Sequence, residues 1–202
     1  MAYRRTPRVQ ARLSQSRERI LSAALALVAE QGYAGCSVAA VADRAGIATG
    51  SVYRHFPAKA LLFADVFRTV SQREADALAS AAERAPGGAR ARIAAMIETF
   101  AGRALRAPRQ AYALLAEPVD PAVDAERLIF RRLHHTLFAR VIADGVAAGE
   151  LPPQDVEVSA AALVGAVGEA LVGPLAAGSA GPDTIPALIA FAQRAVGAGH
   201  DT

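Results

Sequence analysis

Residues 37–67 read SVAAVADRAGIATGSVYRHFPAKALLFADVF, and their pattern decides the fold. Ser37 can cap a short helix over 38–45, because its hydroxyl accepts from an amide that the first helical turn leaves unpaired. Gly46 closes that helix, since glycine enters the left-handed conformation without a Cβ penalty. A second short helix over 49–55 then runs into Phe56 and Pro57. Two such helices crossing through a tight turn need a small residue at the contact, a flexible residue in the turn and apolar anchors on the second helix. Ala42 beside Val41, then Ala45-Gly46-Ile47, then Val52 with Phe56 meet these needs in order. The segment predicts a helix-turn-helix. An ordinary helical hairpin uses some of the same residues, but it gives no reason for the polar set Thr49, Ser51, Tyr53, Arg54 and His55 on so short a helix.

Upstream, Ile20, Ala23, Ala24, Leu27 and Val28 fall at the spacing of one buried stripe, predicting a helix over 16–31 that ends at Gly32. Downstream, Leu61, Leu62, Val66, Phe67 and Val70 give a helix from Pro57 or Ala58 to about Arg84 its buried face. Pro86-Gly87-Gly88 breaks it, and further helices are expected at 89–106, 109–116, 122–148, 154–176 and 183–197. The expectation is an all-α protein of about nine helices. Composition agrees: 53% of the 202 residues are hydrophobic, many of them alanine, with 5% aromatic and no tryptophan. Alanine favours helix, whereas β-branched and aromatic residues favour strands.

Charge is divided unevenly. Residues 1–60 carry nine basic side chains against three acids, and residues 61–202 carry thirteen against sixteen. A basic head on a mildly acidic body suits a polyanion-binding unit attached to a body with another task. The expected division is a flexible basic arm at 1–15, a helix-turn-helix head at 16–60 and a helical ligand-binding and dimerisation domain at 61–202. The arm's basic residues, Arg4, Arg5, Arg8 and Arg12, precede no apolar run, so it does not read as a signal peptide. A single cysteine, Cys36, excludes an internal disulfide framework and a cysteine-rich zinc site. No metal or cofactor is expected, and a reducing cytoplasmic compartment is. Residues 158–181 hold one charge, Glu169, but their apolar content is mostly Ala and Gly, and Pro174 interrupts them. A packed small-residue helix fits them better than a membrane span.

From Arg19 to Phe67 the chain resembles the DNA-binding domain of the TetR family of transcriptional repressors, through Ala-Gly-Ile, Gly-Ser-Val-Tyr-Arg-His-Phe and Lys-x-x-Leu in that order. The resemblance implies that 49–55 is a recognition helix lying in the major groove of double-stranded DNA. It implies a contact surface of Thr49, Gly50, Ser51, Tyr53, Arg54 and His55, with Lys59 on a phosphate and Ser37 near the backbone. Two features depart from the family pattern: Ala48-Thr49 where serine and often lysine stand, and Ala39-Ala40 where Arg-Asp is common. Both weaken phosphate anchoring, and the basic arm with Arg17 or Arg19 is the expected compensation.

Two half-sites in successive major grooves lie about 34–36 Å apart and need two heads, so a homodimer on a palindromic operator is expected. Ala161, Gly165, Gly168 and Val172, with Leu188, Phe191 and Ala195, are its interface candidates, because small residues let helices approach closely. In the family the last two helices form a four-helix bundle with their symmetry mates. The middle helices are expected to enclose a pocket lined by Phe67, Met96, Phe100, Tyr112, Leu115, Phe130 and His134, suited to a small hydrophobic effector. The resemblance implies a repressor whose heads spread when ligand tilts the fourth helix. A ligand-independent regulator or an activator with the same head is the alternative, and a helical-bundle enzyme a remote one. His134 and His135 are adjacent and diverge by about 100° on a helix, so they cannot share a metal as an i, i+4 pair does.

Overall fold

The computed structural model describes residues 7–197, which form nine helices and no strand. In chain order these are α1 (Pro7–Gln31), α2 (Val38–Ala45), α3 (Thr49–His55), α4 (Lys59–Arg84), α5 (Ala89–Arg106), α6 (Pro108–Leu115), α7 (Pro121–Ala147), α8 (Val156–Ala177) and α9 (Thr184–Gly197). The start of α1 corrects one expectation. Residues 7–15, assigned to a mobile arm, are helical, because Pro7 suits a first turn and Val9 to Ser16 contain no breaker. Arg4 and Arg5 lie outside the described residues, and so does the side chain of Arg8.

Buried side chains fall into two clusters. One joins Ile20, Leu27, Val28, Val41, Val52, Phe56, Leu62, Phe63, Phe67 and Val70 with Ala113, Leu114 and Val123 from α6 and α7. The other joins Leu78, Ile93, Met96, Ile97, Phe138, Ile142, Leu163, Leu171, Leu188 and Val196. Burying each such side chain contributes about 1.5–3 kcal/mol before the entropy cost of ordering it. α4 spans both clusters, with its N-terminal half in the first and Leu78 and Ala82 in the second.

Polar contacts fasten the first three helices to the rest. The Glu117 carboxylate accepts the amides of Tyr33 at 2.8 Å and Ala34 at 2.9 Å. Tyr33 donates its hydroxyl to Asp120; burial, then that carboxylate, push the phenol's pKa well above its usual range. Arg127 caps α6 by donating to the carbonyls of Leu114 at 2.9 Å, Ala113 at 3.0 Å and Glu117 at 2.6 Å. Further along, Arg103 of α5 grips the buried Glu74 of α4 through two bonds of 2.8 and 2.7 Å.

α8 is the least buried of the long apolar helices. It is long and apolar enough to cross a membrane, yet only 28% of its most apolar stretch is buried. It continues through Pro174 to a left-handed Gly178. Its outward surface is small, with Ala162, Gly165, Ala170 and Gly173 exposed.

Candidate nucleic-acid interface and ligand cavity

The turn between α2 and α3 is built as its residues require. Ser37 accepts from the Ala40 amide at 3.0 Å. Gly46 adopts φ 63° and donates to Asp43 O at 3.0 Å, while Ile47 donates to Ala42 O at 3.0 Å. A β-carbon at Gly46 would be strained by that φ and would stand 3.5 Å from the Arg19 guanidinium, which donates to Ala45 O at 2.6 Å. Ala42 and Val52, 2% and 0% exposed, sit at the crossing.

With Val52 turned inward, the rest of α3 faces out. Thr49, Gly50, Tyr53 and Arg54 are exposed, and Ser51 and His55 half-buried. Gly50 has open space where a side chain would be. Arg54 leans on Ser51 Oγ at 2.9 Å, an exposed bond that a stronger acceptor can replace. Lys59 is half-buried, its Nζ 4.6 Å from the Tyr33 ring centroid and 5.6 Å from that of Phe63. This cation–π seat fixes the ammonium beside the end of α3. Ala48 makes no side-chain cap bond, as the sequence departure at 48–49 implies.

Arg17 and Arg19 are already engaged within the molecule. Arg17 pairs with Asp65 and stacks 5.0 Å over Phe56, and Arg19 holds the end of α2. Arg44 is tied to Glu30 by bonds of 2.5 and 2.7 Å. Cys36 is buried and donates to Gly32 O at 2.9 Å; burial pushes the thiol pKa up, which disfavours the reactive thiolate.

A cavity of about 480 Å³ opens between α5, α6, α7 and α8. Of the residues expected to line it, Phe100, Leu115, Phe130 and His134 do. Three do not. Phe67 is 1% exposed and packs in the first cluster, its ring 6.2 Å from that of Tyr33. Met96 is fully buried in the second cluster, and Tyr112 packs against that cluster away from the cavity. Met96 and Tyr112 lie on helices around the space but on faces that meet other helices, and Phe67 lies on α4, which contributes no residue to the wall; apolar character alone does not carry these distinctions.

The rest of the wall was not anticipated as such. Ile97, Phe138, Val164 and Val167 extend its apolar lining, and Arg131, Arg132, His135 and Glu169 add charge or polarity. Ala161, Gly165, Gly168 and Val172, read as interface residues, line the cavity too. Their i, i+4, i+7, i+11 spacing marks one helical face but not what that face meets. Leu188 is a correction: it is 7% exposed and packs in the second cluster with Ala192 and Val196. Four-residue steps keep those three on one side, whereas the three-residue step to Phe191 turns back by about 60°. Phe191, 43% exposed, and Ala195 face outward.

His134 is the buried polar group of the wall. Its Nδ1 lies 2.9 Å from Phe130 O, and its ring meets that of Phe130 tilted, with centroids 4.0 Å apart, and that of Phe100 edge-on at 5.5 Å. Burial lowers its pKa below 6.5, only partly offset by the bond to Phe130 O and by Glu74. His135, by contrast, turns toward α8, with Nε2 3.1 Å from Glu157 O.

Three crossing helices with an outward-facing third, carried on a hollow helical body, define a helix-turn-helix protein. Residues 20–66 match the family model for bacterial regulatory proteins of the tetR family. The HTH-type transcriptional repressor KstR of Mycolicibacterium smegmatis is 32% identical over 133 residues, 65% of either chain, so the match spans just under two thirds of that relative. FadR from Bacillus subtilis, solved with stearoyl-CoA, superposes with a TM-score of 0.76 at 17% identity, covering 91% of this chain and 99% of that one. RolR, solved with resorcinol, gives 0.71 at 20% identity, covering 93% and 90%. Residues 20–66 are thus similar to the tetR family of bacterial regulatory proteins, and the chain shares the fold of these solved structures.

Proposed function

We propose that this protein is a cytoplasmic homodimeric repressor that holds a palindromic operator and releases it when a small hydrophobic ligand enters the cavity, with no catalytic step. The observation that carries the reading is α3: Val52 is fully buried while Tyr53, Arg54 and their polar neighbours stand free on a seven-residue helix. Thr49, Gly50, Ser51, Tyr53, Arg54 and His55 form the groove-facing surface, and Ser37 and Lys59 meet phosphates. Residues 16–60 act as the head and 61–202 as the ligand-binding and dimerising body. Arg12, exposed on α1, is the described residue best placed to extend the phosphate footprint, because Arg17 and Arg19 are committed elsewhere.

The exposed small-residue face of α8, with Phe191 and Ala195 of α9, pairs two subunits. Pairing, rather than a membrane, covers it, because Glu169 lies on it and Ala and Gly bring little transfer energy. A four-helix contact places part of the cavity wall, Gly165 and Gly168, next to the subunit joint, so ligand and subunit angle share residues. One route leads from cavity to head: Leu115 ends α6, Arg127 donates to the neighbouring Leu114 carbonyl and to the Glu117 carbonyl, and the Glu117 carboxylate holds the Tyr33 and Ala34 amides; α4, packed on α5 and α7, meets the same Tyr33 through Phe63, edge-on at 5.2 Å. A ligand swings the dimer from 99% bound form to 99% spread form only if it prefers the spread form by about 5.5 kcal/mol.

Deleting the gene and measuring the adjacent transcripts tests the reading. A rise marks a repressor. A fall or no change contradicts it.

A further inference from the structure

The wall of the cavity is graded from floor to mouth. Ile97, Phe130, Phe138 and Val167 are buried and form an apolar floor, whereas Arg131, Arg132 and Glu169 are exposed and so stand at the mouth. Helical spacing sets Arg131 on the face of α7 that carries His135 and Phe138, four and seven residues on. The charges of the mouth are not balanced among themselves. Arg127, one turn back on α7, is spent on Asp124 and three carbonyls, and His135 turns its Nε2 to Glu157 O. Arg131 and Arg132 have no ion pair among the described residues, and Glu169 is paired with neither. Two guanidiniums against one carboxylate leave a positive rim around an apolar hollow. Both arginines sit on α7, apart from the α8–α9 face proposed to join subunits.

We propose that the effector is an amphipathic anion: an apolar body that fills the hollow and ends in a carboxylate or phosphate, whose oxygens accept hydrogen bonds from Arg131 and Arg132. This inference rests on the cavity being the effector site. A guanidinium presents a planar fork of N–H donors that matches two oxygens of such a head group. A neutral tip leaves both arginines in water, so it forgoes the contact without a penalty, and a cationic tip is repelled. Because the head group stays near solvent, its gain is that of an exposed contact rather than a buried one.

The test ranks four ligands of one tail on the full-length protein: dodecanoate, dodecyl phosphate, 1-dodecanol and dodecyltrimethylammonium, each below its micelle concentration. Displacement of a neutral dye, N-phenyl-1-naphthylamine, reports binding, and the chain has no tryptophan to obscure it. The better of the two anions is expected to bind about five- to tenfold more tightly than the alcohol, and the ammonium more weakly still. Which anion leads separates a carboxylate effector from a phosphate one. Sodium chloride at about 0.5 M should shrink the anion's advantage. In the double variant Arg131→Gln, Arg132→Gln the anion falls to the level of the alcohol, whose own affinity holds. Arg140→Gln removes an exposed α7 arginine outside the wall and should leave the preference intact. An alcohol bound as tightly as both anions, or an ammonium bound more tightly, overturns the inference and leaves the ligand-released repressor standing. An advantage that survives the double variant, or that Arg140→Gln erases equally, also overturns it, since net charge rather than the rim is then its source. If none of the four binds while operator binding is intact, the cavity itself fails as an effector site and the inference fails with it.

Discussion

The head and the cavity wall are built from similar residues by opposite logic. In the head, Ala42, Gly46 and Val52 are where they are because helices must touch, and the functional surface is what remains outside once they do. In the wall, Gly165, Gly168 and Ala161 are where helices do not fill the space between them, and function lies in the gap. A glycine at 46 is required by its φ of 63°, whereas at 165 a β-carbon would meet nothing within 4 Å. Small residues in the first region specify contact, and in the second they specify room.

Substitutions of matched kind should separate the two. Val52→Asp places an unpaired carboxylate at a fully buried site. It should lower the unfolding free energy in urea by about 4 kcal/mol or more and abolish operator binding. A milder loss would mean that the crossing of α2 and α3 is looser than described. Arg54→Ala leaves the core alone and should weaken operator binding by about 1–3 kcal/mol in fluorescence anisotropy, with an unchanged melting temperature. Gly168→Leu, whose added atoms head toward Leu115 across the cavity, should raise the effector concentration needed for release at least tenfold. Its stability should rise or hold within about 1 kcal/mol, since leucine is the better helix former; a large destabilisation would show that the gap is in fact packed.

The smallest effect is one of pH. His134 is held neutral, its folded pKa below the ordinary 6.5, so the unfolded chain binds more protons in acid. The stability it contributes is present above pH 6.5 and is lost as pH falls through that value toward the folded pKa. Thermal melts between pH 7.5 and 5 should decline for the unaltered protein and less steeply for His134→Gln. Parallel curves would mean that the ring is solvated.

The same contrast explains what the sequence disclosed. Caps, turn glycine and periodic apolar positions announce the head locally, and α2 and α3 have the expected bounds. Helix bounds in the body were nearly as legible, to within about two residues, because Pro and Gly punctuate them. The cavity was half legible. Phe130 and His134 share a helical face, and that i, i+4 pair reached the wall. Phe67, Met96 and Tyr112 did not, because which neighbour an apolar face meets is set by helix crossings that no local pattern encodes. The start of α1 escaped for a different reason: a basic, polar stretch without an apolar stripe gives no periodic signal, yet nothing in it breaks a helix already begun.

The claim on which the rest depends is that two copies of α3 are presented together to one duplex. Selection of random duplexes by the full-length protein, followed by sequencing, tests it most directly. An enriched inverted repeat, its half-site centres one or more turns of about 10–10.5 base pairs apart and lost in Arg54→Ala, is the predicted result. No enriched sequence, or a lone half-site held by a monomer, would contradict it.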